Sequence, residues 1–191
     1  VCLLAKHTVQ LMYLTTTDYV QHKYEPGASE ANRFYARLDH FIGALDSLDL
    51  LLGITADHGM NAKVKADGSP KVEFIEDLLI DKEIIDAMVI LPIADPSVVH
   101  HGTLGSYATV YLDESQISLA TEVLRKVDGV ELVLTRVEAV ARFELSSDRV
   151  GDLVVLSDQD TVQGHTSAWH DLSSGVLRFT YRCGKESVGP W

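Results

Sequence analysis

The sequence lacks any apolar stretch near the roughly 20 residues that a membrane span requires, and it lacks basic charge. Lys and Arg number 16 against 28 Asp and Glu, for a formal net charge of −12. A nucleic-acid surface needs clustered cations, so nucleic acid is excluded as a partner, and no membrane association is expected. Cysteine is scarce: Cys2 and Cys183 sit near opposite ends with no C-x-x-C spacing. They form neither a zinc ribbon nor a disulfide framework, and a reducing cytoplasm fits them best. There is no initiator Met and no basic segment leading into a short apolar one, so no signal peptide is expected. Val1 opens directly into apparent core sequence, as in a piece of a longer polypeptide. Internal repeats and low-complexity segments are absent.

What remains is ordinary globular sequence: 191 residues, 46% hydrophobic and 23% charged. That is enough for one substantial core, or a core layer with a smaller appended module. The first sixty residues read as strand, helix, strand. Residues 10–16 and 50–55 are apolar and strand-length. Between them, after a turn at Pro26-Gly27, Ser29 is the expected N-cap of a helix over residues 30–48. Ala31, Phe34, Tyr35, Leu38, Phe41, Ile42 and Leu45 recur there at helical spacing. A strand, crossover helix and second strand predict adjacent parallel strands covered on both faces, as in an α/β sheet. Ligands bind such sheets beyond the carboxyl ends of the strands.

Two short motifs lie at that edge. Thr17-Asp18-Tyr19-Val20-Gln21-His22 ends the first apolar run, and Thr55-Ala56-Asp57-His58-Gly59-Met60 ends the second. Each offers one carboxylate and one imidazole, donors suited to Zn²⁺, Mn²⁺ or Fe²⁺. Asp18 and His22 are spaced i, i+4, so one helical turn puts them on one face. Asp57 and His58 are adjacent and can serve an ion only where the backbone leaves strand geometry, with Gly59 permitting a sharp turn. The bland alternative is a capping Asp and an ordinary His in each motif, but two motifs on successive strands favour a two-metal hydrolytic centre. His7 and His40 read as ordinary residues. His100 and His101 could face a substrate, though a loop pair is more often structural. His165 and His170 are weaker candidates to complete a metal shell. The run Thr15-Thr16-Thr17 reads as local structure rather than as a nucleophile.

From residue 62 the character changes. Residues 63–70 are a polar, turn-rich connector, and residues 72–90 have apolar spacing consistent with helix. Strands are expected at 106–112, 130–134 and 152–157, and helices at 114–127 and 137–143. The order resembles half of a small α+β module. The expected organisation is a core segment over 1–61 carrying both metal motifs, an inserted cap over 62–150, and a return to the core with an atypical tail over 151–191.

The segments Leu11 to Lys23, Glu30-Ala31-Asn32, Val98 to Gly105 and Gly151 to Ser157 together resemble the phosphonoacetate hydrolases. Thr55 to Asn61 resembles the metal motif of the alkaline phosphatase superfamily in its nucleotide pyrophosphatase/phosphodiesterase branch. The likeness runs from about residue 8 to about residue 177. It implies an α/β fold, part of an alkaline-phosphatase-like parallel sheet core with an inserted α+β cap. It also implies hydrolysis of the carbon–phosphorus bond of phosphonoacetate to acetate and phosphate, with two zinc ions and a threonine nucleophile. Asp18 and His22 would hold one ion, and Asp57 and His58 the other. The implied partner is a small-molecule phosphonate, with a homodimer left open. The family's threonine, and an aspartate that joins Asp57 and His58, belong to a region before Val1, so no catalytic nucleophile is assigned here. The third ligand of the Asp18/His22 ion belongs in a His-Gly-Gly segment after Leu177-Arg178; here Phe179 to Gly184 contains no histidine. The chain is therefore expected to be a partial enzyme, inactive alone. The alternatives are a related two-metal phosphodiesterase or phosphomutase, and an inactive metal- or ligand-binding remnant.

Overall fold

A computed structural model describes residues 11–92, 104–170 and 172. The elements in chain order are α1 (Tyr19–Lys23), α2 (Ser29–Asp46), β1 (Val72–Phe74), α3 (Ile75–Ile80), β2 (Met88–Ile90), β3 (Tyr107–Tyr111), a 3-10 turn (Glu114–Gln116), α4 (Ile117–Leu124), β4 (Val130–Thr135), α5 (Arg136–Phe143), β5 (Leu153–Ser157) and β6 (Val162–Gly164). It is a mixed α/β fold with one parallel and one antiparallel sheet.

The core is built around β5. The four-stranded sheet runs in the order β2-β3-β5-β4, and β5 is antiparallel to both neighbours. Strands β3 and β4 are therefore parallel to each other, joined through α4 and separated by β5, a split β-α-β arrangement. Successive β5 side chains point to opposite faces. Leu153 and Val155 join the main core with Leu79, Val110, Leu124 and Val133. Val154 joins a second cluster with Leu134, Ala139 and Val150 beneath α5. A strand covered on both faces needs an unbroken apolar run, and Leu-Val-Val-Leu supplies one. Helix α5 begins in a capping box: Thr135 accepts from the Glu138 N–H, and the Glu138 carboxylate accepts from the Thr135 N–H at 2.8 Å. The second sheet is a short parallel pair, β1 with β6.

Several expectations need correction. Of the strands expected over 10–16 and 50–55, residues 11–16 and 50–55 are not paired strands, residue 10 lying outside the described residues: residues 11–18 and 51–56 have no regular structure. Leu11, Tyr13, Leu51 and Ile54 are 88%, 87%, 101% and 69% exposed. A strand persists only when its N–H and C=O groups find a neighbour and its apolar face a cover, and among the described residues these runs have neither. Helix α2 forms where periodicity places it, with Ala28 rather than Ser29 at the N-cap, but only Ala31 is buried. Residues 72–90 are two short strands flanking one short helix rather than a single helix. The helix expected over 114–127 divides into the 3-10 turn and α4. Residues 152–157, read as a return to the main sheet, instead form the central strand between β3 and β4.

Gly151 marks how tightly β5 is fitted. Its N–H donates to Thr109 Oγ1 at 2.8 Å, and an added Cβ would meet that hydroxyl and lie 2.6 Å from the Val110 carbonyl oxygen. The obstruction is backbone and cannot swing aside. Gly151→Ala is expected to cost about 1–3 kcal/mol by overpacking, read as a lowered midpoint in urea denaturation. An unchanged midpoint would show that the β3–β5 contact can open without loss.

Candidate metal centre

The first motif is arranged by α1. Asp18 stands at its N-cap position, but its carboxylate does not cap the backbone. It points along the helix and accepts from His22 Nε2 at 3.0 Å. One helical turn brings the two together, as the i, i+4 spacing requires. The second motif lies on extended chain. The Asp57 Oδ1 accepts from the His58 N–H at 3.1 Å, and Oδ2 lies 3.9 Å from His58 Nε2. His58 Nδ1 is 3.0 Å from the Gly59 carbonyl. A carbonyl can only accept, so Nδ1 carries a proton, and in the neutral imidazole this leaves the Nε2 lone pair for a metal.

The two motifs converge. One ligand atom from each of Asp18, His22 and His58 lies within 4.8 Å of the others. The His22 and His58 ring centroids are 5.8 Å apart. An oxygen and two nitrogens at that separation fit a cation such as Zn²⁺, with open positions left for further ligands. Asp57 is not in this grouping, and its side chain is 92% exposed. The grouping thus crosses the two motifs. Gly59 adopts no left-handed backbone, so the turn here does not depend on its being glycine.

Other candidates lie elsewhere. His40 stands edge-on to Phe41. His165 and His170 are buried and stacked 6.0 Å apart, with Trp169 and Phe74 against them. His165 Nδ1 lies 3.4 Å from Glu76 Oε1. They pack the β1–β6 end of the molecule and are not in the metal grouping. Thr17 Oγ1 accepts from the Tyr19 N–H at 3.3 Å and so serves the start of α1. His7, His100 and His101 lie outside the described residues, as do residues 179–191.

Sequence reasoning missed what holds the second motif. Asn61 Nδ2 donates to Asp160 Oδ1 at 2.6 Å and to the Gln159 carbonyl at 3.1 Å. Lys63 Nζ donates to Ser106 Oγ at 2.6 Å. Burial pushes the Lys63 ammonium pKa down, opposed by Asp158 and Asp160 nearby. Nothing local announces partners so distant in sequence.

The family model for type I phosphodiesterase / nucleotide pyrophosphatase matches residues 4–178. Two solved structures of phosphonoacetate hydrolase from Sinorhizobium meliloti 1021 are similar at 50% identity over 90% of this chain. The complex with phosphonoformate superposes with a TM-score of 0.77 and that with phosphonoacetate with 0.78. The chain spans 42% of the length of that hydrolase.

The grouping predicts binding that depends on its members. With only three candidate ligands, two of them exposed to solvent, cobalt or zinc should bind weakly, and His22→Ala and His58→Ala should each weaken binding by about tenfold or more. His40→Ala should change nothing. Calorimetric titration checks this; affinity unaltered in both site variants would place the ligands elsewhere.

Proposed function

The chain belongs to the type I phosphodiesterase / nucleotide pyrophosphatase family, and from that premise we propose that it is part of a metal-dependent hydrolase that cleaves the carbon–phosphorus bond of phosphonoacetate. Water adds at phosphorus, the bond to the methylene carbon breaks, that carbon takes up a proton, and acetate and phosphate leave. The family is metal-dependent, and the described residues include a cluster able to hold an ion. The observation that carries the reading is this cluster, within a chain 50% identical to a phosphonoacetate hydrolase.

Asp18 and His22 would hold one ion and Asp57 and His58 the second, and zinc suits this oxygen and nitrogen donor set, with Mn²⁺ or Fe²⁺ as alternatives. Bound there, the ions would supply the positive charge that a dianionic head group needs in a protein of net charge −12. The chain's own residues define where that charge sits. The carboxylates are the solvent-facing members, with Asp18 67% and Asp57 92% exposed, and the imidazole of His22 lies behind them at 18%. An anion approaching from solvent therefore meets the carboxylate-bearing side, which repels it unless cations are held between. His58, protonated at Nδ1 by its bond to Gly59, offers only Nε2 toward the centre.

The same reading takes residues 1–61 as a core segment carrying both motifs, residues 62–150 as an inserted cap, and residues 151–191 as the return to the core and the tail, with β5 completing the cap's antiparallel sheet. A small-molecule phosphonate is the proposed substrate. No helix among the described residues is long and apolar enough to cross a membrane; the cytoplasm is proposed from the cysteine usage. A related phosphodiester substrate is the second reading, favoured by the breadth of the matched family.

The test is phosphate release from phosphonoacetate with added zinc, for the 191-residue chain and for a form extended with the corresponding N-terminal part of the Sinorhizobium enzyme and with a His-Gly-Gly tail after Arg178. The extended form should release phosphate, and Asp57→Ala should lower kcat/KM by about 100-fold, the upper part of the range for disturbing a metal site. Turnover of a phosphodiester with no release from phosphonoacetate would select the second reading. Release unaffected by Asp57→Ala would remove that residue from the centre.

A further inference from the structure

From Leu51 to Met60 the chain carrying Asp57 and His58 has no helix or strand to hold it. Among the described residues, the side-chain hydrogen bonds of Asp57 and His58 stay within residues 57–59. Such a segment cannot by itself fix where an imidazole stands. A useful metal site needs its ligands held to within about 0.5 Å, so the constraint must come from nearby in the chain.

It comes three residues later. The Asn61 amide spends both of its hydrogens on the turn between β5 and β6, at the Gln159 carbonyl and at Asp160 Oδ1. That turn is itself fixed. The Asp160 N–H donates to Asp158 Oδ1 at 3.0 Å, the Asp158 N–H donates to the Gly129 carbonyl at 2.8 Å, and Lys71 Nζ lies 3.0 Å from Asp158 Oδ2. Two residues beyond Asn61, Lys63 takes up a left-handed backbone, φ +58, that a lysine rarely adopts. Its ammonium donates to Ser106 Oγ, which donates in turn to the Thr161 carbonyl at 2.6 Å. Its own carbonyl accepts from the Lys71 N–H at 3.0 Å. Asn61 directly, and Lys63 through Ser106, thus hold one short turn, residues 159–161, just after the central strand.

We propose that Asn61 is a positioning residue of the metal centre: anchored on Gln159 and Asp160, it sets where His58 stands relative to Asp18 and His22. The inference rests on the metal reading above. Lys63 reinforces the same anchor from the other side. Asn61 does not itself approach the ligands and acts through the backbone of residues 59–60.

The experiment is cobalt titration of the 191-residue chain, following the visible d–d bands, together with the melting temperature of the metal-free protein. His58→Ala is the reference for loss of a ligand. Asn61→Ala and Asp160→Ala should each weaken cobalt affinity by about tenfold, as disturbing the support of a ligand typically does. Each should also shift the d–d bands, which a change in overall stability alone would not do. The double variant should be no weaker than either single one, because both remove the same link. Asp160→Asn keeps an acceptor oxygen and should restore affinity and spectrum; if Asn61→Ala fails to fold, the Asp160→Ala and Asp160→Asn pair decides the matter. Unchanged affinity and spectrum in the tether variants, with binding lost in His58→Ala, would overturn the positioning role and leave the metal reading standing. Unchanged binding in His58→Ala as well would overturn both.

Discussion

The position of β5 between β3 and β4 is the constraint on which the described structure depends. Its backbone is paired along both edges, and Leu153, Val154 and Val155 are fully buried across its two faces. Removing a strand so placed would expose two ladders and two cores together. Because β5 is central, the chain that leaves it at Asp158 leaves from a fixed point, and the turn to β6 inherits that rigidity. Asp158 receives Lys71, Asp160 receives Asn61, and the Thr161 carbonyl receives Ser106. The extended segment around Asp57 and His58 is thus tied to the best-packed strand by side chains rather than by a ladder.

That division of labour explains which parts were legible in the sequence. The run Leu153-Val154-Val155-Leu156 and the apolar segments at residues 107–111 and 130–135 report burial, and burial follows from residues close in sequence. Helix α2 was legible because its 3.6-residue period survives even though Ala31 is its one fully buried residue. The runs at 11–16 and 50–55 carry the same apolar signal, yet a strand exists only with a partner, and periodicity does not show whether one is present. Strands of three residues, such as β1 and β2, fall below the length at which any period can be counted. The connection from Asn61 to Asp160 spans 99 residues and is made by polar side chains. No single sequence displays it.

The candidate centre divides the same way. Asp18 and His22 are positioned by local geometry, since i and i+4 in one helical turn share a face whatever the rest of the molecule does. That shared face could be read from the sequence, and the structure brings the two to 3.0 Å. Asp57 and His58 had only their order in the chain to recommend them. That His58 joins Asp18 and His22 while Asp57 faces solvent is a tertiary result. The sequence offered four candidate residues; that three of them, Asp18, His22 and His58, stand together is not legible in it.

The two halves also differ in how they can fail. Helix α1 has five residues, too short to be stable without tertiary contact, because a helical nucleus costs more than its first hydrogen bond returns. Its support is α2, against which it packs. The Asp18–His22 pair therefore depends on a helix pair whose apolar surface is only partly covered, with Tyr35 and Phe41 40% and 52% exposed. The Asp57–His58 pair depends on hydrogen bonds to the turn that follows the buried strand β5. Covering the open face of α2 would steady the first pair and leave the second where it is. Loosening the turn after β5 would do the opposite. A centre assembled from both needs both supports, and only one of them is complete within the described residues.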